Sequence, residues 1–516
     1  MKTMKTLLSI CIIMLVCVGY AKADEKIHNQ LFVISGGEFG VPGNQVKLGV
    51  YYPYDNHFFY FDSLPGNFTG ASQVVDYDGL NYLLATVGDE LHLYDANTYE
   101  WLDSIHLAGI NDIVFDEQSG FLYLSRSFPA TDQEFVKLNF PDLTIADYYD
   151  VNMEASRILL TDSLVWLSAP GGWMNDTGLV LAFERFESSI TLRESFDLGT
   201  DGDGIGFLFS YEDKVMAVAS NSKNLIEIDL QDLQVDSHAV NTSSFSRGYG
   251  VKDNLLFVSY GGWSSEGIGT FNLDTKQPED TAIYTGSVSK ALYEPYSDKM
   301  YTLATDFSTF GYLKVWDSSF VMTDSIALWI SPEALSADVR YVPQADFELP
   351  SGTIFANQDV LVQNTSENAV SFHWEIVPNT FAFENGTNEN SLNPEIRFLE
   401  QGTYDITLTA SIPGYSVEKI MESVEVDFSV STEENLTSTP EFQFYPNPAS
   451  DKLFLDNQFH TEVVFELYSI EGRQLEKRIL EKGERVTISL NNFPKGAYLL
   501  RIQSDFKSEN HSLIIN

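Results

Sequence analysis

The sequence predicts an all-β chain: a seven-bladed β-propeller, then an immunoglobulin-like β-sandwich, then a small second β-sandwich at the C-terminus. Three observations predict it. First, short apolar runs of strand character recur at a spacing of roughly 40 to 50 residues, the period of propeller blades: "LFVISG" from Leu31, "NYLLAT" from Asn81, "FLYLSR" from Phe121, "LVWLSA" from Leu164, "VMAVAS" from Val215, "LLFVSY" from Leu255 and "MYTLAT" from Met300. Second, each run after the first has a lead-in strand and turn before it, as in "SRILLTDSL" and "GFLFSYEDKV", and a loop and further strands after it, as in "LIEIDLQDLQVDSHAV". Four strands per unit make a blade. Third, residues 344–428 alternate apolar and polar positions over about seven short segments, the pattern of half-buried strands.

The first residues belong to none of these units. "MKTMKTLLSICIIMLVCVGYAKA" places Lys2 and Lys5 before an apolar run from Leu7 to Val18, then Ala21-Lys22-Ala23 as a small-x-small cleavage site. Residues 1–23 therefore read as a secretory signal peptide. A lipidated Cys17 would need small residues upstream, where Leu15 and Val16 are bulky. The apolar run is also short for a bilayer span, so no transmembrane segment is expected after cleavage. Cys11 and Cys17 are the only cysteines and both lie in the leader, which excludes disulfides, thiolate metal sites and cysteine nucleophiles from the mature chain. The net charge of −44 becomes −47 once Lys2, Lys5 and Lys22 are gone. Such a surface repels phosphate backbones and anionic lipid, so nucleic acid is not an expected partner.

The propeller is expected over residues 24–343. Its first blade opens on a second strand, "LFVISG", with no inner strand before it. The missing strand stands at the far end as "ADVRYVP", Ala337 to Pro343. Pairing it with Leu31 to Ser35 would close the ring and hide two strand edges.

Residues 344–428 resemble a PKD domain, an immunoglobulin-like sandwich, in "SFHWEI" from Ser371 and "GTYDITLTA" from Gly402. Where that family continues its tryptophan strand into a Gly-Asp-Gly turn, this chain has "VPNTF", so the resemblance implies a spacer. Residues 429–441 are polar and apolar-poor, the composition of a linker. Residues 442–516 resemble the type A sorting domain of the type IX secretion system, in "FYPNPASDKLFL" from Phe444, "VVFELYSIEGRQL" from Val463 and "FPKGAYLLRI" from Phe493. That resemblance implies the type IX machinery as a partner and export across the outer membrane of a Gram-negative bacterium, with surface attachment or release.

In a propeller the loops between second and third strands share one face with the loops entering each inner strand, and such loops favour binding residues. Gly-Gly-Trp occurs at one such position in the fourth and sixth blades, before "MNDTG" and "SSEGIG". Blade one has "GGEFGVPGN" there and blade seven "TDFSTFG". Phe39, Trp173, Trp263, Phe307 and Phe310 are thus expected around one mouth, either as a ligand platform or packed beneath their own loops. Where the inner strands begin stand Gln73, Asn111, Arg157, Arg247 and Lys290, with Ser336-Ala337 in the closing strand. Three cations and two amides in so acidic a chain fit capture of an anionic or amide-rich ligand, with a carboxylate or phosphate held bidentately by arginine. Bonding the carbonyls of neighbouring blades is the alternative. Asp201-Gly202-Asp203-Gly204 resembles part of a calcium loop, although two carboxylates are fewer than Ca²⁺ sites supply. A glycine-rich acidic turn is the other reading.

Catalysis would need an acid, base or nucleophile in the mouth. His57, His92, His106 and His238 fall on strands or outer turns, which argues against histidine chemistry. Carboxylate chemistry of the glycosidase or lyase kind remains open. The blade pattern and the opening "LFVISGGEFGVPGNQVKLGVYYP" resemble the YncE-like, surface-layer-type propellers of the DUF5074 group. That resemblance implies a surface protein binding a small molecule, a corrinoid in some relatives. The expected function is a binding protein whose propeller face takes a small-molecule, glycan or protein ligand, with protein adhesion as the competing class. The chain should leave the propeller on the face opposite the mouth.

Overall fold

The structure, a computed structural model, describes residues 25–38, 40–130, 132–170, 177–242, 244–260, 267–286, 288–428, 442–459, 461–470, 472–504 and 508–516. The expected leader and linker lie outside the described residues. Two compact units divide the chain, one up to Phe428 and one from Ser429.

Seven four-stranded antiparallel sheets fill the first part of the larger unit. Blade 1 joins the inner strand Pro332–Tyr341 to Lys26–Ser35, Gln45–Tyr52 and His57–Pro65. Blades 2 to 7 follow in chain order over residues 72–106, 110–149, 158–197, 205–239, 246–285 and 290–328. Each inner strand touches the inner strands of the blades on either side, and the circuit returns to its start. The sheets are therefore radial.

Burial explains why the sequence writes its middle strands as unbroken apolar runs. A blade presses both faces against neighbours, so alternation disappears where both sides are covered. Leu164–Ala169 and Leu255–Tyr260 are buried almost throughout, whereas the outer strand Trp101–His106 is mostly exposed. One apolar cluster fills each of the seven interfaces between blades. Polar turns link the third and outer strands. In blades 2, 5, 6 and 7 the side chain of Asp95, Asp229, Asn272 or Asp317 accepts the N–H two residues on, the local bond that makes Asp and Asn good turn residues.

The ring closes as expected, but on a longer strand. Leu31 does pair with Ala337, yet the partners of Phe32 to Ser35 run back from Ser336 to Pro332. Ala337 to Tyr341 instead pair with Lys26 to Leu31. Ser336 is thus mid-strand rather than at the mouth. The apolar run hid this, because "LFVISG" is only the second half of a strand that begins with the polar but buried His28, Asn29 and Gln30.

After Pro343 a sandwich packs the sheet of Ile354–Phe355, Tyr415–Asp427, Gly402–Ile412 and Ser371–Val377 against that of Asp359–Leu361, Glu395–Phe398 and Phe381–Phe383. Trp374 sits at its centre, its ring edge-on to Phe347 and its Nε1 donating to the carbonyl of Ser391 at 2.9 Å. The sandwich meets the propeller through its 412–415 turn. Ile412 packs with Ile27 and Val342, and the Tyr415 ring lies 4.9 Å from that of Tyr54. Gly414, at φ +72°, lets the turn approach Tyr52, since a Cβ would stand 2.7 Å from that ring. Tyr52 and Tyr54 border the turn between third and outer strands, on the face opposite the mouth.

The smaller unit is a second sandwich. Lys452–Asn457 pairs with Phe442–Tyr445 and Arg485–Ser489, and Val463–Ser469 is central to the facing sheet. Leu453, Leu455, Phe465, Leu467 and Leu500 form its core. Buried Asn457 is fully used: its Nδ2 donates to the carbonyls of Thr461, Leu480 and Glu481, and its Oδ1 accepts from Phe459 N–H.

Candidate functional site

Every inner strand starts at the mouth, and four of them start with an irregularity. The pairing slips at Ile110/Asp112 in blade 3, at Ile205/Phe207 in blade 5, at Ser246/Gly248 in blade 6, and at Pro332/Ala334 in blade 1. Such bulges take one residue out of the ladder and re-aim it. The residues taken out are Asn111, Gly206, Arg247 and Glu333. Arg247 has φ +46°, in the left-handed region that costs a non-glycine residue.

Behind these starts lies a cavity of about 640 Å³ between the inner strands of blades 3 to 7 and 1. Arg157, Arg247 and Lys290 all line it, together with Asp112 and Glu333. Its walls are Phe207, Tyr249, Tyr293, Leu208 and Leu292. Two glycines shape it. Gly206 faces open space, with only the Gly204 carbonyl oxygen at 3.7 Å from an added Cβ, whereas at Gly248 a Cβ would stand 2.0 Å from the Phe207 ring.

The charges are arranged unequally. Arg157 Nη1 donates to Asp112 Oδ1 at 3.0 Å, and the Ile158 N–H donates to Asp112 Oδ2 at 2.9 Å, so this carboxylate straps blade 4 to blade 3. Glu333 accepts from Thr69 N–H at 3.1 Å and from the Ser331 hydroxyl. Burial pushes its carboxyl up. The Lys290 side chain is partly buried, and its Nζ makes no hydrogen bond or ion pair among the described residues, while its backbone pairs with Leu303 in the ladder. The Arg157 charge, then burial and the Arg247 charge, push its ammonium down to about 7 against the opposing pull of Asp112. Like charges held close favour the neutral amine.

The other expected residues do not join this cluster. Gln73 Oε1 accepts from Phe115 N–H at 2.9 Å, and Asn111 Nδ2 donates to the Ala155 carbonyl at 3.2 Å, so each ties its blade to the next. Phe307 and Phe310 stand exposed on the loop between second and third strands of blade 7, away from the cavity lining. Asp306 holds that loop by accepting the Thr309 hydroxyl and the N–H groups of Thr309, Ser308 and Phe310, which keeps its carboxyl well below the usual range. Phe39, Trp173 and Trp263, with both Gly-Gly-Trp segments, lie outside the described residues. Asp201 sits in the 3₁₀ turn Gly199–Gly202, and Asp203 Oδ1 accepts from Asn221 Nδ2 at 2.9 Å. Among the described residues no group of three or more His, Asp or Glu gathers in a metal-holding arrangement.

Sequence reasoning missed Asp112 and Glu333. An acid directly after Asn111 was the signal for the first. Glu333 was hidden by the misplaced start of the closing strand. Exposed Phe68, Phe128 and Trp329, on loops of the mouth face, were missed too. So was a fifth propeller histidine, His28, which is buried in blade 1 with Nδ1 3.1 Å from the Tyr301 hydroxyl. None of the five lines the cavity.

Residues 443–516 match the family described as "Secretion system C-terminal sorting domain". The chain thus carries a type IX secretion sorting domain, which indicates export across the outer membrane followed by surface attachment or secretion. No helix among the described residues is long and apolar enough to cross a membrane. No curated protein matches the chain. Solved structures similar to it include a protein from Lactobacillus plantarum, 12% identical, covering 60% of this chain and 99% of its own, at a TM-score of 0.47. A putative 6-phosphogluconolactonase from Bacteroides fragilis is 10% identical, with 60% and 98% covered, at a TM-score of 0.46. Another from Bacteroides uniformis is 11% identical, with 60% and 100% covered, at 0.46. Likenesses this distant say nothing of what this chain binds.

Proposed function

We propose that the chain is an exported binding protein whose propeller holds an anionic ligand in the axial cavity. The observation that carries this reading is the convergence of Arg157, Arg247 and Lys290 on one opening in a chain of net charge −44. Arg157 and Arg247 stand close enough to push the Lys290 ammonium down, and cations crowded in this way are complementary to an anion. The aromatic walls supply the apolar contact that ligand sites usually combine with a few polar groups. The sandwich packs on the opposite face and leaves the mouth open.

The test is isothermal titration with an acidic sugar, a neutral sugar of the same shape, cobalamin and Ca²⁺, on the native chain and on Arg157→Ala. Heat with the acidic sugar alone, lost in the variant, supports the reading. Heat with none of them would favour a protein-adhesion module using the exposed rim of Phe68, Phe128, Phe307 and Phe310. A second reading, a carboxylate-based glycosidase or lyase, is favoured by the coexistence in one cavity of Asp112, ion-paired to Arg157, and Glu333, whose carboxyl burial pushes up, since such enzymes set their two carboxyl groups apart that way. It predicts turnover of a glycan, lost in Glu333→Gln.

A further inference from the structure

We propose that the axial cavity captures its anion with the charged group between Lys290 of blade 7 and Arg157 of blade 4, and that a proton enters with the ligand. This rests on the anion-binding reading and adds its regulation. Lys290 and Arg157 belong to blades that are not neighbours, yet both side chains line the same cavity. Arg157 is oriented by Asp112 through Nη1, which leaves its other N–H groups for a ligand. The Lys290 ammonium has no hydrogen-bond or ion-pair partner among the described residues. The groups facing it are Arg157 from blade 4, Arg247 and Tyr249 from blade 6, Asp112 from blade 3, Glu333 from blade 1 and Tyr293 from its own strand.

In the free protein the neighbouring guanidinium groups keep the Lys290 amine about half neutral near pH 7. An anion placed between them reverses the sign of the local field, and an opposite charge favours the ammonium form. The amine then takes a proton from solvent onto Nζ; no other bond forms or breaks. Linkage requires the reverse effect as well, so affinity must rise as pH falls. With an amine titrating near 7 when free and well above 8 when bound, affinity falls about tenfold from pH 6 to pH 8. A cavity of about 640 Å³ accommodates a ligand no larger than roughly a disaccharide. A carboxylate or phosphate on such a body is the chemistry that fits.

The experiment is titration calorimetry of the full chain with galacturonate, galactose, succinate and sulfate, whose anions are fully ionised at pH 7, in two buffers of different ionisation enthalpy at that pH. The proposal expects heats from the anions that differ between buffers by about half a proton taken up per ligand. Galactose should give none. Lys290→Arg, which keeps the charge but titrates far higher, should bind without proton uptake and with a flat pH profile. Lys290→Met should lose at least tenfold in affinity, and Gly206→Leu should block binding by filling the cavity. Anion binding with identical heats in both buffers would overturn the proton coupling and leave the anion reading standing. Uptake that persists in Lys290→Arg would assign the proton to Glu333 and overturn the role of Lys290. Absence of heat from all three anions would overturn the anion reading itself.

Discussion

At Gly248 a single added carbon would stand 2.0 Å from the Phe207 ring, in a backbone packed between blades. Gly248→Ala should therefore destabilise the propeller by about 1–3 kcal/mol, the usual cost of overpacking, measured by urea unfolding. Gly206, five residues from Tyr211 at the start of the blade 5 inner strand, has space where Gly248 has none. Gly206→Leu should leave the urea midpoint nearly unchanged, which separates a change in the cavity from a change in the fold. The same contrast marks what could be read residue by residue. Arg157, Arg247 and Lys290 were legible as charges at equivalent strand starts. The diversion of Gln73 and Asn111 into bonds between blades was not, because a carboxamide at the same position serves either purpose. Bulges decide the direction of a side chain: Gly248 and Gly250 mark one beside Arg247 without saying which residue it re-aims, and nothing in the letters around Asn111 announces one.

Ring closure concentrates on the paired strands Lys26–Ser35 and Pro332–Tyr341. Their mouth-distal halves carry a buried polar network. Asp338 accepts from Gln30 Nε2 at 2.8 Å, from Asn29 Nδ2 at 3.3 Å and from Arg340 Nε at 2.8 Å, while Arg340 Nη1 donates to Asn97 Oδ1 in blade 2. Removing one partner of a buried pair leaves the other uncompensated, so Asp338→Ala should cost about 3–5 kcal/mol, read as a lower urea midpoint. Polar letters at buried positions are why the strand looked shorter in sequence than it is. His28 belongs to the same half-strand. Burial pushes its imidazole down from 6.5 to about 4, so as pH falls the unfolded chain takes the proton first. The contribution is complete above pH 6.5, declines toward pH 4 and changes no further below it. His28→Phe should flatten this part of the stability profile by at most about 3 kcal/mol, checked by unfolding at pH 7 and pH 4.5.

For the whole molecule, the repeat and the terminal motifs were the legible parts, since strand spacing and burial on both faces leave long-period signals that survive any choice of ligand. The identity of the cavity was less so: it depends on side chains from six blades separated by up to 221 positions, from Asp112 to Glu333. Deleting the chain from Ser429 onward removes the sorting domain and leaves the larger unit intact. The truncated protein should accumulate in the periplasm and keep its anion affinity, as judged by cell fractionation and calorimetry. The crowding of three cations at one axial opening can be tested without knowing the ligand. Competitive acylation of the free protein across a pH series, read by mass spectrometry at Lys290, gives the titration of that amine directly. The expected midpoint is about 7, moving upward in Arg157→Ala. A midpoint near the ordinary lysine value of about 10.4, unchanged by that substitution, would contradict it.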